Sequence, residues 1–178
     1  MSYQIITDSG CDLPGAMLQQ LELSVVPLYV NFRGQSLEDT VDSGIQELYQ
    51  GFREGEAATT SAVNPDRWGQ AMEKILQEGQ DVLTVVFSSG LSTTYQSAVI
   101  AATELQEKYP QRKIRVVDTL CAALGQGLLV KLTCDKRDAG LSIEETAAWV
   151  EANKLNLCHW VTVDDLTHLK RGGRISAT

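Results

Sequence analysis

The chain has 178 residues, 43% of them hydrophobic and 21% charged, which suits one globular domain with a full core. Fifteen basic against twenty-three acidic side chains leave a net charge of -8, the wrong sign for gripping a phosphate backbone, so no nucleic-acid partner is expected. No apolar run nears the ~20 residues of a membrane span, and Met1-Ser2-Tyr3-Gln4 lacks the basic start of a signal peptide, so a cytoplasmic protein is expected.

Gln4 to Thr7 reads as a short strand ending in Asp8-Ser9-Gly10. Asp12-Leu13-Pro14 reads as a helix start, with Asp12 as cap and Pro14 in the first turn. Leu23 to Phe32 is expected as one strand, demoted toward an edge by Pro27. A polar stretch from Arg33 to Ser43 leads to a helix through Ile45, Leu48, Tyr49 and Phe52, and Ala58 to Pro65 is a hydroxyl-rich connection. Asn64-Pro65 opens the next helix, whose Trp68, Met72, Ile75 and Leu76 share a face. Asp81 to Phe87 is a buried strand that empties into Ser88-Ser89-Gly90-Leu91-Ser92-Thr93-Thr94 and then an Ala-rich helix, Ser97 to Lys108. Ile114 to Asp118 is another strand, followed by a long helix with Leu124, Leu128 and Leu132 in line. A helix from Ile143 to Asn153 has Ser142 and Glu145 at capping-box spacing. Cys158 to Val163 is expected as a last strand ending in Asp164-Asp165, and Leu166 to Arg171 as one or two helical turns closed by Gly172-Gly173.

Strands alternating with helices over short connections imply an α/β fold, a mostly parallel sheet with helices on both faces. Ligands of such sheets bind beyond the carboxyl ends of the strands. That rim is where Asp8-Ser9, Ser88-Ser89, Asp118-Thr119 and Asp164-Asp165 are expected. The Ser88 to Thr94 turn is the most informative segment: hydroxyls and backbone N–H groups at a helix N-terminus form a site for an anion, phosphate or carboxylate. It carries no histidine, thiol pair or extra carboxylate, so it is built to hold a charged head group. Each residue also has a plainer role open to it. Ser89 and Ser92 are good helix caps, Asp8 and Asp118 can tie down loop amides, Thr60 and Ser61 fit an ordinary loop, and Arg174 suits a helix C-terminus.

Cys11, Cys121, Cys134 and Cys158 show no C-x-x-C pairing and are expected as reduced, buried thiols. His159 and His168 have no partner at metal-ligand spacing, so no metal and no cofactor are expected. Trp68, Trp149 and Trp160 are expected in or against the core.

Taken in order, Thr7-Asp8-Ser9 with Asp12-Leu13-Pro14, Val26-Pro27-Leu28, Thr60-Ser61, Ser88-Ser89-Gly90-Leu91-Ser92 with Thr94-Tyr95, Val117-Asp118 with Gly125 and Gly127, and Val163-Asp164-Asp165-Leu166 with Lys170 to Ser176 resemble the DegV family over the whole chain. The resemblance implies a two-lobed α/β protein that buries a long-chain fatty acid in a tunnel. It further implies that the acid is presented to the separate kinase subunit of a bacterial fatty acid kinase, with no catalysis of its own. Carried over by motif, the carboxylate is held by Thr60, Ser92 and Arg174; Ser61 and Ser89 are counted with them as fatty-acid-binding candidates, and Asp8, Ser9 and Asp118 as a secondary rim. Each buried methylene is worth about 0.8 kcal/mol, so fourteen to eighteen carbons give on the order of 10 kcal/mol before ordering costs.

The sequence departs from the family pattern in three places. The family's T-S-Q-P reads Thr60-Ser61-Ala62-Val63, Thr93 replaces a glycine, and the chain ends at Thr178 where family members continue, so the second lobe is expected to be largely missing from residues 1-178. Two other readings stay open. One is a phosphate or sugar-phosphate-binding module gripping its ligand at the Ser88 to Thr94 turn. The other is a serine acyl hydrolase, although Gly90-Leu91-Ser92-Thr93-Thr94 lacks the second glycine of a nucleophile elbow and, of the two histidines His159 and His168, only His168 is placed to act as base.

Overall fold

A computed structural model describes residues 3–40, 44–163 and 166–175. In chain order the first half comprises β1 (Tyr3–Asp8), α1 (Gly15–Gln20), β2 (Ser24–Val26), β3 (Tyr29–Phe32), β4 (Gln35–Glu38), α2 (Ile45–Arg53), β5 (Thr59–Ser61) and α3 (Pro65–Gln77). The second half comprises β6 (Asp81–Val86), α4 (Thr94–Lys108), β7 (Ile114–Asp118), α5 (Ala123–Asp138), α6 (Ile143–Asn153) and α7 (Thr167–Arg171).

The main sheet has the order β2-β1-β6-β7 and is parallel throughout. Its strands are buried on both sides, as parallel sheets require. Alternation sends Ile5, Leu83, Val85 and Val117 to one face, where they pack with Leu129, Val130 and Cys134 of α5 and Ile143 and Val150 of α6. Ile6, Val26, Val82 and Val86 go to the other, against Trp68, Met72 and Ile75 of α3 and Ala98, Ala101 and Leu105 of α4. The sequence-predicted α/β class with helices on both faces is what forms. Two helix starts also form as expected: the Asn64 side chain accepts the Arg67 N–H at 2.9 Å, and Ser142 with Glu145 closes a reciprocal capping box.

Several expectations are corrected. Leu23 to Phe32 is not one strand: Pro27 has no N–H to give, the Leu28 N–H turns to Ser9 Oγ, and the chain leaves the first sheet for a second. That second sheet, order β4-β3-β5, is antiparallel and was not expected. Its hairpin turns on Arg33 (φ 49°) and Gly34 (φ 76°), consecutive left-handed residues that match the strand twist, so the polar stretch after Phe32 holds a strand. The connection at Thr59–Ser61 is likewise a strand, paired with Tyr29, Val30 and Asn31. Asp12 does not cap a helix; it sits at φ 53° closing a single-turn 3₁₀ helix, Ser9–Cys11, and α1 begins after Pro14 with no side-chain cap.

Cys158 to Val163, expected as a strand, gains no ladder partner. The side chains lie open instead, Trp160 93% and Val161 71% exposed, so Trp160 and Cys158 are not core residues. The Leu124-Leu128-Leu132 line of α5 faces away from the sheet, with Leu124 63% exposed; the buried stripe is Gln126, Leu129, Val130 and Thr133. Asp164, Asp165 and Ser176, along with the His168 side chain, lie outside the described residues.

Candidate functional site

Parallel pairing brings the carboxyl ends of all four strands of the main sheet to one edge: Asp8 lies beside Val26, and Val86 beside Asp118. The loops leaving that edge hold Asp8-Ser9, Ser88 to Thr93 and Asp118-Thr119. These three segments share the rim as expected; Asp164-Asp165, expected with them, lies outside the described residues. β2 replaces Cys158–Val163 as the fourth contributor.

The Ser88 to Thr94 turn is internally tied. Phe87 N–H donates to Asp8 Oδ2 at 2.8 Å, Ser88 N–H to the Cys121 carbonyl at 3.0 Å, and Ser89 N–H to Asp118 Oδ1 at 3.1 Å. Gly90 N–H donates to Ser88 Oγ, Leu91 and Ser92 N–H to the Ser88 carbonyl, and Thr94 N–H to Ser92 Oγ. The amides of Ser88 to Ser92 and of Thr94 are thus already used. Of the turn's hydroxyls, that of half-buried Ser92 is open to a ligand; its Oγ bonds the fully buried Thr94 Oγ1 at 2.8 Å. Thr93, at the α4 cap position, makes no side-chain bond; Ser92, one residue earlier, satisfies the N–H of the first helical residue, Thr94, through a local turn.

The carboxylates of the rim hold loops. Asp118 Oδ1 accepts both Ser89 and Leu120 N–H. Asp8 accepts Phe87 N–H, Gly10 N–H at 3.0 Å and Gln126 Nε2 at 3.2 Å, with no ion pair among the described residues. Burial penalises its charge and the three hydrogen bonds offset only part of that, so its pKa is pushed up to about 6. Ser9 is a strut between the sheets: its Oγ accepts Leu28 N–H at 3.0 Å and donates to Asp39 Oδ2 at 2.7 Å. The secondary-rim residues Asp8, Ser9 and Asp118 are thus engaged in structural bonds, the plainer of their two sequence readings.

Thr60 and Ser61 are both exposed on β5, and alternation separates them. Thr60 lies opposite Val30, itself opposite Leu37, whereas Ser61 lies opposite Tyr29 on the other face, where its Oγ accepts Asn31 Nδ2 at 2.9 Å. The two hydroxyls do not serve one side of the sheet together. Arg174, after α7 and the left-handed Gly173, comes to the rim: its Nε donates to the Leu91 carbonyl at 3.4 Å. Two sequence blocks eighty-three residues apart therefore meet at the head-group turn.

Gln126 escaped sequence reasoning. It is fully buried, and its Nε2 reaches both Thr7 Oγ1 at 3.0 Å and Asp8 Oδ1. The signal was present: with Leu129, Val130 and Thr133 it falls on the i, i+3, i+4, i+7 face of α5, a polar residue on a buried stripe.

The raised Asp8 pKa has a measurable consequence. An unfolded aspartate releases its proton near ~3.9, whereas the folded protein keeps that proton until about 6. The folded state therefore binds more protons between those values, and stability falls as pH rises through this window, by about 2–3 kcal/mol, then levels above it. Urea denaturation from pH 4 to 7 is expected to show this fall in the wild type relative to Asp8→Asn; parallel profiles would contradict it.

Comparison with known proteins follows the same lines. A family model described as an uncharacterised protein family, DegV, matches residues 2–178. A DegV domain-containing protein of Clostridium perfringens is 46% identical over 178 residues, 99% of this chain and 61% of that protein. A solved DegV family protein of Thermus thermophilus, described by its fatty acid binding, superposes with a TM-score of 0.85 at 38% identity, covering 97% of this chain and 60% of its own. The fatty acid kinase B3 protein of Streptococcus pneumoniae, solved loaded with linoleic acid, gives 0.81 at 26% identity, covering 99% and 62%. The chain spans about three fifths of the length of these relatives.

Proposed function

The chain belongs to the DegV family, and from that premise we propose that it is the fatty-acid-binding portion of a protein that holds one long-chain fatty acid and presents its carboxylate to a separate kinase subunit. Ser92, Thr60 and Arg174 anchor the head group, and the protein performs no chemistry of its own. The observation that carries this reading is the meeting of Arg174 with the Ser88 to Thr94 turn, which sets a permanent cation against the turn that carries the half-buried Ser92 hydroxyl. Leu91, Leu120, Leu124 and Leu128 are exposed on the rim loops and the adjoining α5, apolar surface suited to the start of an acyl chain. The fatty acids in the Thermus thermophilus and Streptococcus pneumoniae relatives support the ligand class, and the kinase naming of the latter supports the partner.

The rival readings fit less well. A phosphate grip relies on free amides, and those of Ser88 to Ser92 and Thr94 are occupied. A hydrolase needs a base against its serine, whereas Ser92 Oγ bonds Thr94 and the His159 ring lies against Gly125.

Ser92→Ala and Thr60→Ala are each expected to weaken oleate binding by about 1–3 kcal/mol in calorimetry, through loss of a hydrogen bond to a charged group. Ser61→Ala, on the opposite face of its strand, is expected to leave affinity unchanged. Full affinity in the Ser92→Ala, Thr60→Ala double variant would refute the head-group assignment.

A further inference from the structure

A buried carboxylate lies one hydrogen bond behind the head-group turn. Asp8 Oδ2 holds the amide of Phe87, the residue from which the turn departs, and Oδ1 holds Gly10 N–H and Gln126 Nε2. Nothing basic neutralises it among the described residues. From the elements packed around it come Gln126 of α5, which is neutral; Cys11 of the 3₁₀ turn, a thiol that burial pushes up to about 11; Asp12 beyond it; and Asp118 across the rim. Gln126 is itself unusual: its Oε1 is buried with no partner while Nε2 is committed to Thr7 and Asp8. An ionised Asp8 can only accept, which fixes Nε2 toward it. A protonated Asp8 can donate, and a half-turn of the same amide offers Oε1 to receive that proton. The pair accommodates either state of the carboxyl.

We infer that Asp8, oriented by Gln126, is the positioning residue of the Ser88 to Thr94 turn, and that seating an anionic head group at Ser92 is coupled to uptake of a proton by Asp8 from solvent. This rests on the head-group site proposed above. The physical cause is like charge: a second carboxylate brought to the rim disfavours the ionised form of a buried one close behind it. The coupling is reciprocal, so protonation of Asp8 tightens binding by the same factor that binding raises its proton affinity. Because the uncomplexed group titrates at about 6, the effect falls near neutral pH.

The test follows the Phe87 and Gly10 amide proton shifts with pH, by NMR on the whole chain, with and without oleate below its micellar concentration. Both amides are expected to titrate together in the free protein with a midpoint near that of Asp8, and not in Asp8→Asn. With oleate the midpoint moves up; each unit corresponds to a tenfold affinity difference between the two protonation states. Calorimetry at pH 6.5 in two buffers of different ionisation enthalpy is expected to show more proton uptake by the wild type than by Asp8→Asn, the titration of oleate itself being common to both. Amides that do not titrate in the free protein overturn the positioning role. Oleate that binds without moving the midpoint overturns the coupling, and the wild type alone decides this if Asp8→Asn does not fold. Absence of oleate binding at every pH overturns the proposed function instead, and the amide titration without ligand still judges the positioning role.

Discussion

Trp68→Ala is expected to destabilise the protein by about 3–5 kcal/mol, the range for removing a large aromatic side chain from a core. Trp68 is fully buried, and with Met72 and Ile75 it fills the space between α3, α4 and the sheet face formed by Ile6, Val82 and Val86. Few domains hold much more than twice that stability, so the variant is expected to unfold at low urea with an unchanged slope. Trp68→Phe separates packing from polarity. It keeps most of the ring and deletes an indole N–H that is buried without an acceptor, so it is expected to cost far less than the alanine variant. Equal losses in the two variants would contradict the assignment of the cost to lost ring volume.

Gly127→Val is expected to cost about 3 kcal/mol or more through overpacking. A Cβ at Gly127 would stand 2.5 Å from the Cys11 carbonyl oxygen and 2.9 Å from Leu13 Cδ2. The first obstacle is backbone, which has no rotamer to escape into. Relief requires α5 to move off the 3₁₀ turn, and that movement also drags Gln126 from Asp8, so the Phe87 and Gly10 amide shifts are expected to change along with stability. Gly69→Ala in α3 serves as a control: nothing lies within 4 Å of its Cβ position, and alanine there is expected to stabilise by about 0.5–1 kcal/mol. If Gly127→Val matched the wild type in urea, the close approach of α5 to the turn after β1 would be wrong.

What could be read from residues alone divides along physical lines. The β1, β6 and β7 strands were legible because each is a short apolar run followed at once by small polar residues, and α3 because its apolar period and its Asn64-Pro65 start agree. The second sheet was not legible. Its strands are three or four residues long and largely exposed, so burial leaves no alternating pattern in them; only the pairing of Val30 with Leu37 and Thr60 defines them. Cys158 to Val163 failed in the opposite sense: β-branched and aromatic residues raise strand propensity, but a strand exists through its ladder, and here none forms. At the site, the motif positions were legible and their hydrogen-bonding state was not. Which amides of the Ser88 to Thr94 turn are spent depends on Asp8, Asp118 and Cys121, carboxylates and a carbonyl brought in from other strands and loops.

The position of β1 has a consequence for how the molecule comes into being. β1 is an interior strand of the sheet, and its longest ladder is with β6, Tyr3 beside Asp81 and Thr7 beside Val85. During synthesis on the ribosome, β1 therefore waits until the chain has grown past Asp81 before that neighbour emerges. Local pairing with β2 is available early but covers only Ile6 to Asp8. Until β6 arrives, Ile5 and Ile6 lack the strand that buries them, and the nascent chain is open to wrong strand partners and to chaperone capture. Ribosome-bound chains halted before Asp81 are expected to bind a hydrophobic-segment chaperone, and chains halted well after Val86 to release it.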